Sequence, residues 1–367
     1  MKRREFIKLI GTGLVFSGLE LESEAAPAPD LSNHRALYWE KLPDRRVRCL
    51  LCPRYCVVGD RERGYCGVRE NRGGKYISLV YGRPVTLAID PVEKKPLFHF
   101  LPGRTAFSIA TAGCNVNCKF CQNWQISQVR PEQVRFYKIS PEKTAYLAYR
   151  YNAPILAYTY SEPIIFVEYM LDTAREASRL GIRNVIITGA HVNPKPWKDI
   201  LAAMDAVKID LKAFSEEFYK KIVRGKLKPV LDAIVLAAES GKWLEIVYLV
   251  IPGLNDNMNE IRKMSRWLVK NAGRDIPLHF SRFFPMYLLK NLPATPISTL
   301  ERAREVAMEE GLRFVYVGNV PGHPAETTYC PRCKRPLIKR VGYEIKENNI
   351  KHGKCRFCGE KIPGVWS

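Results

Sequence analysis

Three cysteines within eight residues constrain this chain more than any other feature of its sequence. Cys114, Cys118 and Cys121 follow an apolar run at 106–112 and Gly113, a pattern typical of a buried strand that ends in a loop. Thiols at these spacings can converge on one metal centre. A closed zinc site and a fully ligated four-iron cluster each need four ligands. Three thiolates on a four-iron cluster leave one iron open for a substrate or cofactor, and a plain zinc loop is the alternative.

The composition indicates a large globular chain with a strong positive charge. Its 367 residues have room for one large domain with small appendages. The 58 Lys and Arg residues against 37 Asp and Glu residues give a net charge of +21. This surplus indicates either a basic surface for RNA or another acidic partner, or an excess spread over the whole surface. No compact run of Lys and Arg with interleaved aromatic residues occurs, so the sequence does not favour a nucleic-acid partner.

The other eight cysteines form two sets of four, and all eleven are metal-site candidates without a predicted disulfide. The carboxyl-terminal set is two CxxC pairs, typical of a zinc ribbon whose order comes mainly from its metal. Such a tail could dock a protein substrate, cover the main domain or stabilise the terminus. The amino-terminal set suits structural zinc or an auxiliary iron–sulfur cluster, with buried free thiols as the alternative. The sets are Cys330, Cys333, Cys355 and Cys358, and Cys49, Cys52, Cys56 and Cys66.

Strand and helix patterns alternate along the chain beyond residue 105. Repeated strand–helix units predict a parallel sheet with right-handed crossovers. Sequence alone does not separate a partial barrel from an open doubly wound sheet. Helix starts are predicted at the N-cap residues Ser140, Asn257 and Ser298, the last two with Glu260 and Glu301 completing capping boxes. The predicted strands lie at 106–112, 155–160, 185–188, 206–211, 245–251, 278–284 and 313–317.

The run from Gly113 to Trp124 resembles the CxxxCxxC loop of the radical S-adenosylmethionine (SAM) superfamily, in which an aromatic residue, here Phe120, precedes the last cysteine. The segment 90–100 and the Cys-rich tail narrow the resemblance to the radical SAM enzymes of AmmeMemoRadiSam systems, relatives of pyruvate formate-lyase activating enzymes. It spans residues 45–367. The resemblance implies an α/β fold with a partial TIM-like (β/α)6 barrel, a catalytic 4Fe-4S cluster on the three cysteines, and SAM as cofactor.

The resemblance also implies roles for residues at the carboxyl ends of the strands, where parallel α/β folds place their sites. Ser161 and Glu162 stand where the superfamily has a Gly-Gly-Glu segment that holds the SAM amino group, although the glycines are absent. A helix cap is the alternative for Glu162. The run Asp210-Leu211-Lys212 matches the activating-enzyme branch, which implies that Asp210 binds the ribose and Lys212 binds the SAM carboxylate.

Three further residues are weaker candidates. Ile251 corresponds to an apolar segment beside the adenine, with ordinary core packing as the alternative. His191, after the third strand, is a candidate contact for the substrate, with a loop histidine as the alternative. His279, on the sixth strand, is a second candidate on the substrate side, because the activating-enzyme branch has a ligand-binding histidine near this strand.

The amino terminus has the pattern of an export signal. Residues 1–8 contain paired arginines, a short apolar run follows at 9–16, and small residues and prolines occupy 25–29. The arrangement is similar to a twin-arginine signal, a route that carries folded proteins and suits a cluster assembled in the cytoplasm. SAM and low-potential electron donors are cytoplasmic, so a basic amino-terminal helix without a signal role stays open. The apolar run is too short for a stable transmembrane span.

The resulting hypothesis is an oxidoreductase-like radical SAM enzyme that acts on an unidentified substrate, with glycyl-radical activation as one version of the reaction. Its expected partners are a low-potential donor such as ferredoxin or flavodoxin and, by the resemblance, Memo-like and AMMECR-like proteins. The alternatives are a radical SAM RNA-modifying enzyme and a non-catalytic iron–sulfur or zinc scaffold. The predicted organisation is a twin-arginine-like signal segment (1–30), a Cys-rich segment (31–100), a radical SAM barrel (101–322) and a zinc-ribbon-like tail (323–367).

Overall fold

The structure, a computed structural model, describes residues 30–367. The predicted signal segment therefore lies outside the described residues, apart from residue 30. The described chain forms, in order, a Cys-rich segment of small sheets, an α/β unit built on an eight-stranded sheet, and a tail of short strands. The α/β fold class predicted from the alternation of strands and helices is confirmed.

The Cys-rich segment consists of two antiparallel sheets, with the strand orders β1-β6-β5 and β2-β3-β4. Its strands are short because glycines and prolines interrupt the sequence every few residues. The segment therefore forms hairpins, with Cys49 at the end of a strand and Cys52, Cys56 and Cys66 in the connections between strands. The strands are β1 (His34–Arg35), β2 (Trp39–Lys41), β3 (Val47–Cys49), β4 (Val57–Val58), β5 (Arg69–Arg72) and β6 (Lys75–Ser78).

The eight-stranded sheet follows the chain, so that each strand pairs with the next one in sequence. Strands β8 to β14 run parallel, and β7 pairs antiparallel with β8. Nearly every residue of the central strands is buried, as expected for a sheet with helices packed on it. The strands are β7 (Thr86–Pro91), β8 (Thr105–Ala110), β9 (Ile155–Tyr158), β10 (Arg183–Thr188), β11 (Ala206–Asp210), β12 (Trp243–Val250), β13 (Leu278–Arg282) and β14 (Val315–Gly318).

Helices connect the parallel strands and supply the other layer of the α/β unit. They are α1 (Trp124–Ser127), α2 (Pro141–Arg150), α3 (Val167–Arg179), α4 (Pro194–Ala203), α5 (Glu216–Phe218), α6 (Leu227–Glu239), α7 (Met258–Ala272) and α8 (Ile297–Glu309). A π-helical turn, Tyr219–Val223, follows α5 directly.

The sheet bears on two details of the predicted organisation. Strand β7 belongs to the eight-stranded sheet, so the boundary predicted at residues 100 and 101 cuts through one structural unit. The reason is that Pro91 pairs opposite Thr105, which makes β7 and β8 an antiparallel hairpin. In the part of the chain that is described, the parallel strands number seven, as the apolar runs predicted, and β14 and β7 form unpaired edges. The sheet is therefore open, as in a partial barrel.

Two of the three predicted helix caps are present. Ser140 Oγ accepts the Lys143 amide at 3.3 Å at the start of α2. Asn257 Oδ1 accepts the Glu260 amide at 3.2 Å at the start of α7. The Glu260 carboxylate, however, accepts the Phe214 amide at 3.1 Å rather than returning to its own cap.

The cap predicted at Ser298 is wrong. Helix α8 begins at Ile297 after Pro296, and no side chain caps it. Ser298 therefore already lies inside the first turn. Glu301, the predicted partner of Ser298, lies within 3.1 Å of the His323 ring instead.

The tail covers the amino ends of the parallel strands, opposite the edge where the cysteine loop lies. Its Leu337 shares one buried cluster with Phe98, Phe314 and Tyr316 of the α/β unit. Arg340, also buried, donates to the Phe98 carbonyl at 2.7 Å. The tail is therefore a cover over the base of the barrel. Its strands are β15 (Thr328–Tyr329), β16 (Pro336–Val341), β17 (Glu344–Asn348), β18 (Ile350–Lys351) and β19 (Lys354–Cys355).

His99, at this base, makes the stability dependent on pH. Its ring nitrogens lie 2.7 Å from the Pro363 carbonyl and 2.6 Å from the Tyr316 hydroxyl. Burial lowers the pKa of His99 to about 4, whereas a histidine in the unfolded chain titrates near about 6.5. The unfolded chain therefore binds more protons below that pH, and stability falls as the pH drops. We expect His99 to lower the free energy of unfolding by about 2 kcal/mol when the pH falls from 7 to 5.

Urea unfolding across that pH range measures the effect. The His99→Asn variant should give a flatter profile because it removes the titrating ring. The same steepness in the variant and the wild type would assign the pH dependence to other groups.

The described helices include none that could cross a bilayer. Across residues 30–367, no helix combines sufficient length with sufficient apolar character.

Candidate active site

The loop that carries Cys114, Cys118 and Cys121 leaves β8 at the carboxyl edge of the sheet, and we call it the cluster loop. The amide of Asn117 donates to the Val223 carbonyl at 3.0 Å. The amide of Lys119 donates to the Ile222 carbonyl, also at 3.0 Å. Both carbonyls belong to the π-helical turn that follows β11 and α5. Backbone bonds to a neighbouring strand–helix connection therefore fix the position of the loop.

Gly113, just before Cys114, is the tightest point of the loop. A Cβ atom there would lie 2.6 Å from a Val68 methyl group and 2.7 Å from the Cys66 carbonyl oxygen. Its φ of 94° also lies in the left-handed region. We expect Gly113→Ala to lower the free energy of unfolding by more than about 2 kcal/mol, because strain and overlap add.

Gly181→Ala is the matched control for this variant. Gly181 has a φ of 71°, but a Cβ atom there would meet nothing within 4 Å. Its substitution should cost about 1 kcal/mol of backbone strain. Chemical denaturation of the two variants measures the difference, and equal losses would contradict the close contact between Gly113 and Cys66.

The environment of Cys114 and Cys118 favours the neutral form of these two thiols. Burial raises the pKa of Cys114 well above its ordinary value, and the Glu162 carboxylate raises it further. Burial also raises the pKa of Cys118 to about 12, although the Lys212 ammonium opposes this. Cys121 Sγ lies 3.1 Å from Ser127 Oγ. Thiols with raised pKa values bind a metal only by releasing protons, so metal loading at this loop should depend on pH.

Glu162, after β9, is buried close to the cluster loop. Its carboxylate accepts the Thr188 hydroxyl at 2.5 Å and the Gly189 amide at 2.9 Å, both from the end of β10. It also accepts the Ile164 amide at 3.3 Å, so the predicted alternative role as a helix cap is present as well. Burial raises the pKa of Glu162, and these hydrogen bonds lower it in part. The carboxylate is thus held in one orientation by two strand ends.

Asp210, at the end of β11, lies between two lysines. Lys208 donates to one of its oxygens, and Lys212 donates to the other at 2.9 Å. Burial raises the pKa of Asp210, but the two lysines outweigh burial and lower it to about 2. Burial alone would lower the pKa of Lys212, but Asp210 and the Cys118 thiol raise it above its ordinary value. Asp210 and Lys212 are therefore charged at neutral pH.

These charges converge on the cluster loop. Lys212, Asp210 and Glu162 all act electrostatically on Cys118. The Lys212 ammonium lies 5.9 Å from the centre of the Phe120 ring. The carboxyl ends of β8, β9 and β11 thus bring three thiols, two carboxylates and an ammonium group together at one edge of the sheet.

The sequence model of the radical SAM superfamily matches residues 108–267, which include the cluster loop and both charged strand ends. A protein of Methanocaldococcus jannaschii, named only as uncharacterized, is 45% identical over 329 residues and covers 89% of this chain and 98% of the relative. The chain contains a radical SAM superfamily domain.

More distant radical SAM relatives match smaller parts. The GTP 3′,8-cyclase of Lactiplantibacillus plantarum is 26% identical over 169 residues, 41% of this chain and 49% of that protein. A domain of a pyruvate-formate lyase-activating enzyme from Bacteroides vulgatus is 15% identical with a TM-score of 0.40, covering 44% of this chain and 98% of that chain. SAM-bound SuiB of Streptococcus suis is 12% identical with a TM-score of 0.47, covering 65% and 56%. We transfer no residue role from these three.

Radical SAM membership implies a 4Fe-4S cluster and SAM, and the residues at this edge fit both. Three thiols on one loop suit a cluster with one iron left open. The Ser161 hydroxyl is buried without a hydrogen-bond partner directly before Glu162, so it is free to bond a ligand there. Lys212 and Glu162 carry the charges that complement the carboxylate and the amino group of SAM.

Two other predicted residues are buried near this edge. Phe120 packs against Phe218, with ring centres 6.1 Å apart. Ile251 follows β12 directly and is fully buried, with its amide donating to Asn255 Oδ1 at 2.6 Å. Both are apolar, so they suit a role in excluding water rather than in polar recognition.

The two candidate histidines lie in different places. His191 lies beside the cluster loop, and its backbone carbonyl accepts the Asn115 side-chain amide at 2.8 Å. Burial lowers the pKa of His191 to about 4, so its ring is neutral at pH 7. His279 is near the amino end of β13, where its ring lies 2.7 Å from a Glu245 oxygen. The prediction of His279 as a substrate contact is wrong, because the base of the barrel faces away from the cluster loop.

Sequence reasoning missed two features of the site. One is Lys208, whose signal was a lysine inside an otherwise apolar strand. The other is Tyr160, whose φ of 64° gives it the left-handed backbone that glycine adopts freely. The Asn123 side chain donates to the Tyr160 carbonyl at 2.8 Å. Tyr160 thus takes a left-handed backbone conformation without being glycine, directly before Ser161 and Glu162.

The other two cysteine sets differ in compactness. The sulfur atoms of Cys330, Cys333, Cys355 and Cys358 all lie within 4.8 Å of one another. Among residues 30–367, no other group of three or more possible metal ligands has its ligand atoms within 4.8 Å of one another. The cluster loop and the amino-terminal set hold their sulfurs more widely.

Proposed function

We propose that this chain is a radical SAM enzyme whose Cys114, Cys118 and Cys121 hold a catalytic 4Fe-4S cluster. When bound, the cluster supplies the electron that splits SAM into methionine and a 5′-deoxyadenosyl radical, which removes a hydrogen atom from a substrate. The observation that carries the proposal is the convergence of Glu162 and Lys212 on the cluster loop, where both act on Cys118 and the Lys212 ammonium lies 5.9 Å from the centre of the Phe120 ring.

The side chains of the chain bind and orient SAM in this proposal. Lys212 takes the carboxylate, since its raised pKa keeps it a cation. Glu162 takes the amino group with the unpartnered Ser161 hydroxyl, and two strand ends hold its carboxylate in place. Asp210 takes the ribose hydroxyls, because its lowered pKa keeps it an acceptor. A charge of each sign at a fixed place orients SAM in one direction.

Phe120 and Ile251 complete the proposed SAM site as apolar neighbours. Both are buried, with Phe120 4% exposed and Ile251 fully covered. Their proposed role is to keep water from the reacting atoms, which protects a reactive intermediate from side reactions.

We further propose that the enzyme belongs to the activating-enzyme branch and to an AmmeMemoRadiSam system. The support is the Asp210-Leu211-Lys212 run and the segment 90–100. A low-potential ferredoxin or flavodoxin supplies the electron in this scheme, and Memo-like and AMMECR-like proteins are the proposed partners. Installation of a glycyl radical is one form that the hydrogen abstraction can take.

We assign zinc to the carboxyl-terminal cysteines. Cys330 Sγ and Cys358 Sγ lie 3.6 Å apart, and Cys333 Sγ and Cys355 Sγ lie 3.7 Å apart. Four thiolates around one Zn²⁺ at about 2.3 Å in a tetrahedron have their sulfurs about 3.8 Å apart. The spacing of the set therefore supports a single tetrahedral ion.

The experiment that tests the proposed function is anaerobic. The protein is reconstituted with iron and sulfide, given dithionite and SAM, and assayed for 5′-deoxyadenosine by mass spectrometry. We expect product from the wild type and none from Cys118→Ala. A fully loaded, reducible wild type that yields no product would favour the non-catalytic scaffold.

A further inference from the structure

We propose that Cys49, Cys52, Cys56 and Cys66 hold a second iron–sulfur cluster, ligated by four thiolates and separate from the SAM-binding cluster. The proposal goes beyond the proposed function, because the radical chemistry requires only the three thiols of the cluster loop. Four separate observations about this segment carry it.

The first observation is that one short segment gathers the four thiols. The hairpin of β3 and β4 joins Cys49 to Cys56, with the Cys49 amide donating to the Cys56 carbonyl at 2.9 Å. Cys52 lies in the turn between them and interacts electrostatically with both. Cys66 interacts in the same way with Cys49 and Cys52. The turn at 64–67 therefore closes the group against the hairpin.

The second observation is a pair of buried donors beside the sulfurs without partners of their own. The Tyr76 hydroxyl and Arg69 Nε are both fully covered and make no hydrogen bond. The Tyr76 hydroxyl borders Gly64, next to the side chain of Cys56. Another nitrogen of Arg69 donates to Cys49 Sγ at 3.5 Å. Buried donors without acceptors are costly, and the sulfur atoms of a cluster accept such hydrogen bonds.

The third observation is the sign of the charge. Arg69 is buried beside Cys49 and Cys66, and both interact with it electrostatically. Four thiolates around a cluster carry net negative charge in the interior, which a buried guanidinium offsets. Glu168 binds the far side of Arg69 and so holds it in place. The chain thus supplies one carboxylate to Arg69, while a second nitrogen of the guanidinium donates to Cys49 Sγ and Nε has no acceptor.

The fourth observation separates a cluster from a single ion. The tail cysteines have their sulfurs within 4.8 Å of one another, as one zinc ion requires. Among residues 30–367, no three cysteines of the amino-terminal set meet that limit, and neither do the three of the cluster loop. In a four-iron cluster each thiolate binds a different iron, so the thiolate sulfurs stand further apart than around one ion. Like the cluster loop, and unlike the tail, the amino-terminal set therefore lacks the close spacing that a single ion requires.

The two cluster sites are neighbours. The Cys66 carbonyl lies against Gly113, at 2.7 Å from the position of a Cβ atom there. Arg54, between Cys52 and Cys56, donates to the Asn115 carbonyl of the cluster loop at 2.5 Å. The second site thus supports the back of the cluster loop without sharing a ligand with it.

The test uses the full chain with Cys114, Cys118 and Cys121 all changed to Ala, which removes the SAM-binding cluster. This triple variant and the wild type are reconstituted anaerobically and analysed for iron, acid-labile sulfide and zinc. We expect the triple variant to keep about four irons and about four sulfides per chain, as one four-iron cluster requires, and to show a 4Fe-4S Mössbauer signature. Adding Cys52→Ala should remove this iron and sulfide while the zinc content stays unchanged.

Unchanged zinc shows that the tail of these variants folds, and a far-UV circular dichroism spectrum like that of the wild type shows that the α/β unit folds as well. A triple variant without iron, whether it gains a second zinc or no metal at all, would overturn the proposal. Iron that persists after Cys52→Ala is added would overturn it as well, because it would place the cluster elsewhere. Since the triple variant cannot cleave SAM, the outcome is independent of the proposed radical chemistry.

Discussion

Replacing Asp210 with Ala is expected to lower the free energy of unfolding by about 3 kcal/mol and to abolish SAM cleavage. The stability loss arises because Lys208, whose side chain is 6% exposed, would be left buried without the carboxylate that pairs with it. This loss lies at the lower end of the range usual for breaking a buried ion pair, because the Asp210 side chain is itself 24% exposed. The loss of cleavage arises because the proposed ribose acceptor is gone. Urea unfolding measures the first effect, and 5′-deoxyadenosine formation measures the second.

Two further variants separate these effects. Asp232→Ala removes an exposed ion pair with Lys228 and should cost less than about 0.5 kcal/mol. The double variant Lys208→Met/Asp210→Ala removes both buried charges, so it should recover most of the stability. It should still fail to cleave SAM. Restored cleavage in the double variant would show that Asp210 acts only by neutralising Lys208.

Replacing Cys355 with Ala is expected to release the zinc and to unfold the tail from the base of the barrel. Metal binding supplies about 10–16 kcal/mol in isolated zinc fingers, so we expect a local loss of more than about 4 kcal/mol. The loss should expose Phe98 and Tyr316 and free Arg340, which now donates to the Phe98 carbonyl at 2.7 Å. Hydrogen exchange is the measurement, with loss of protection across residues 328–362.

Cys118→Ala is the control for this variant, since it removes a thiol of the cluster loop at the opposite edge of the sheet. It should keep both the zinc and the protection of the tail. Full protection of the tail in a zinc-free Cys355→Ala variant would mean that packing alone holds it on the barrel.

The sequence was most informative where local chemistry decides the structure. Apolar runs located all seven parallel strands, since a strand buried on both faces is nearly continuous in hydrophobic residues. Asn257 and Ser140 cap helices because their side chains act on amides only a few residues away. The cysteine spacings likewise distinguished the three sets of thiols, because the members of each set lie close together in the sequence. Local patterns of this kind do not depend on the rest of the fold.

Predictions failed where distant segments meet. The pairing of β7 with β8 depends on contacts that no short pattern encodes. For the same reason the sequence left three roles open for the tail, one of which, covering the main domain, is the one seen at the base of the barrel. The resemblance implied a ligand-binding histidine near β13, but His279 lies near the amino end of this strand, beside Glu245. The Ser298 cap failed because helix α8 starts one residue before it. The ion pair of Lys208 and Asp210 was missed because the site prediction took only strand ends into account.

The most direct test of the central claim is electron paramagnetic resonance of the reduced cluster with and without SAM. The variant used carries Cys52→Ala, so that the signal comes from the cluster loop. The account predicts that SAM shifts the spectrum of this variant, because three thiolates leave an iron open to a ligand. It also predicts that adding Lys212→Met weakens the shift at a given SAM concentration. A spectrum that saturating SAM leaves unchanged, in a protein with an intact reduced cluster, would contradict the assignment of a SAM site to this edge of the sheet.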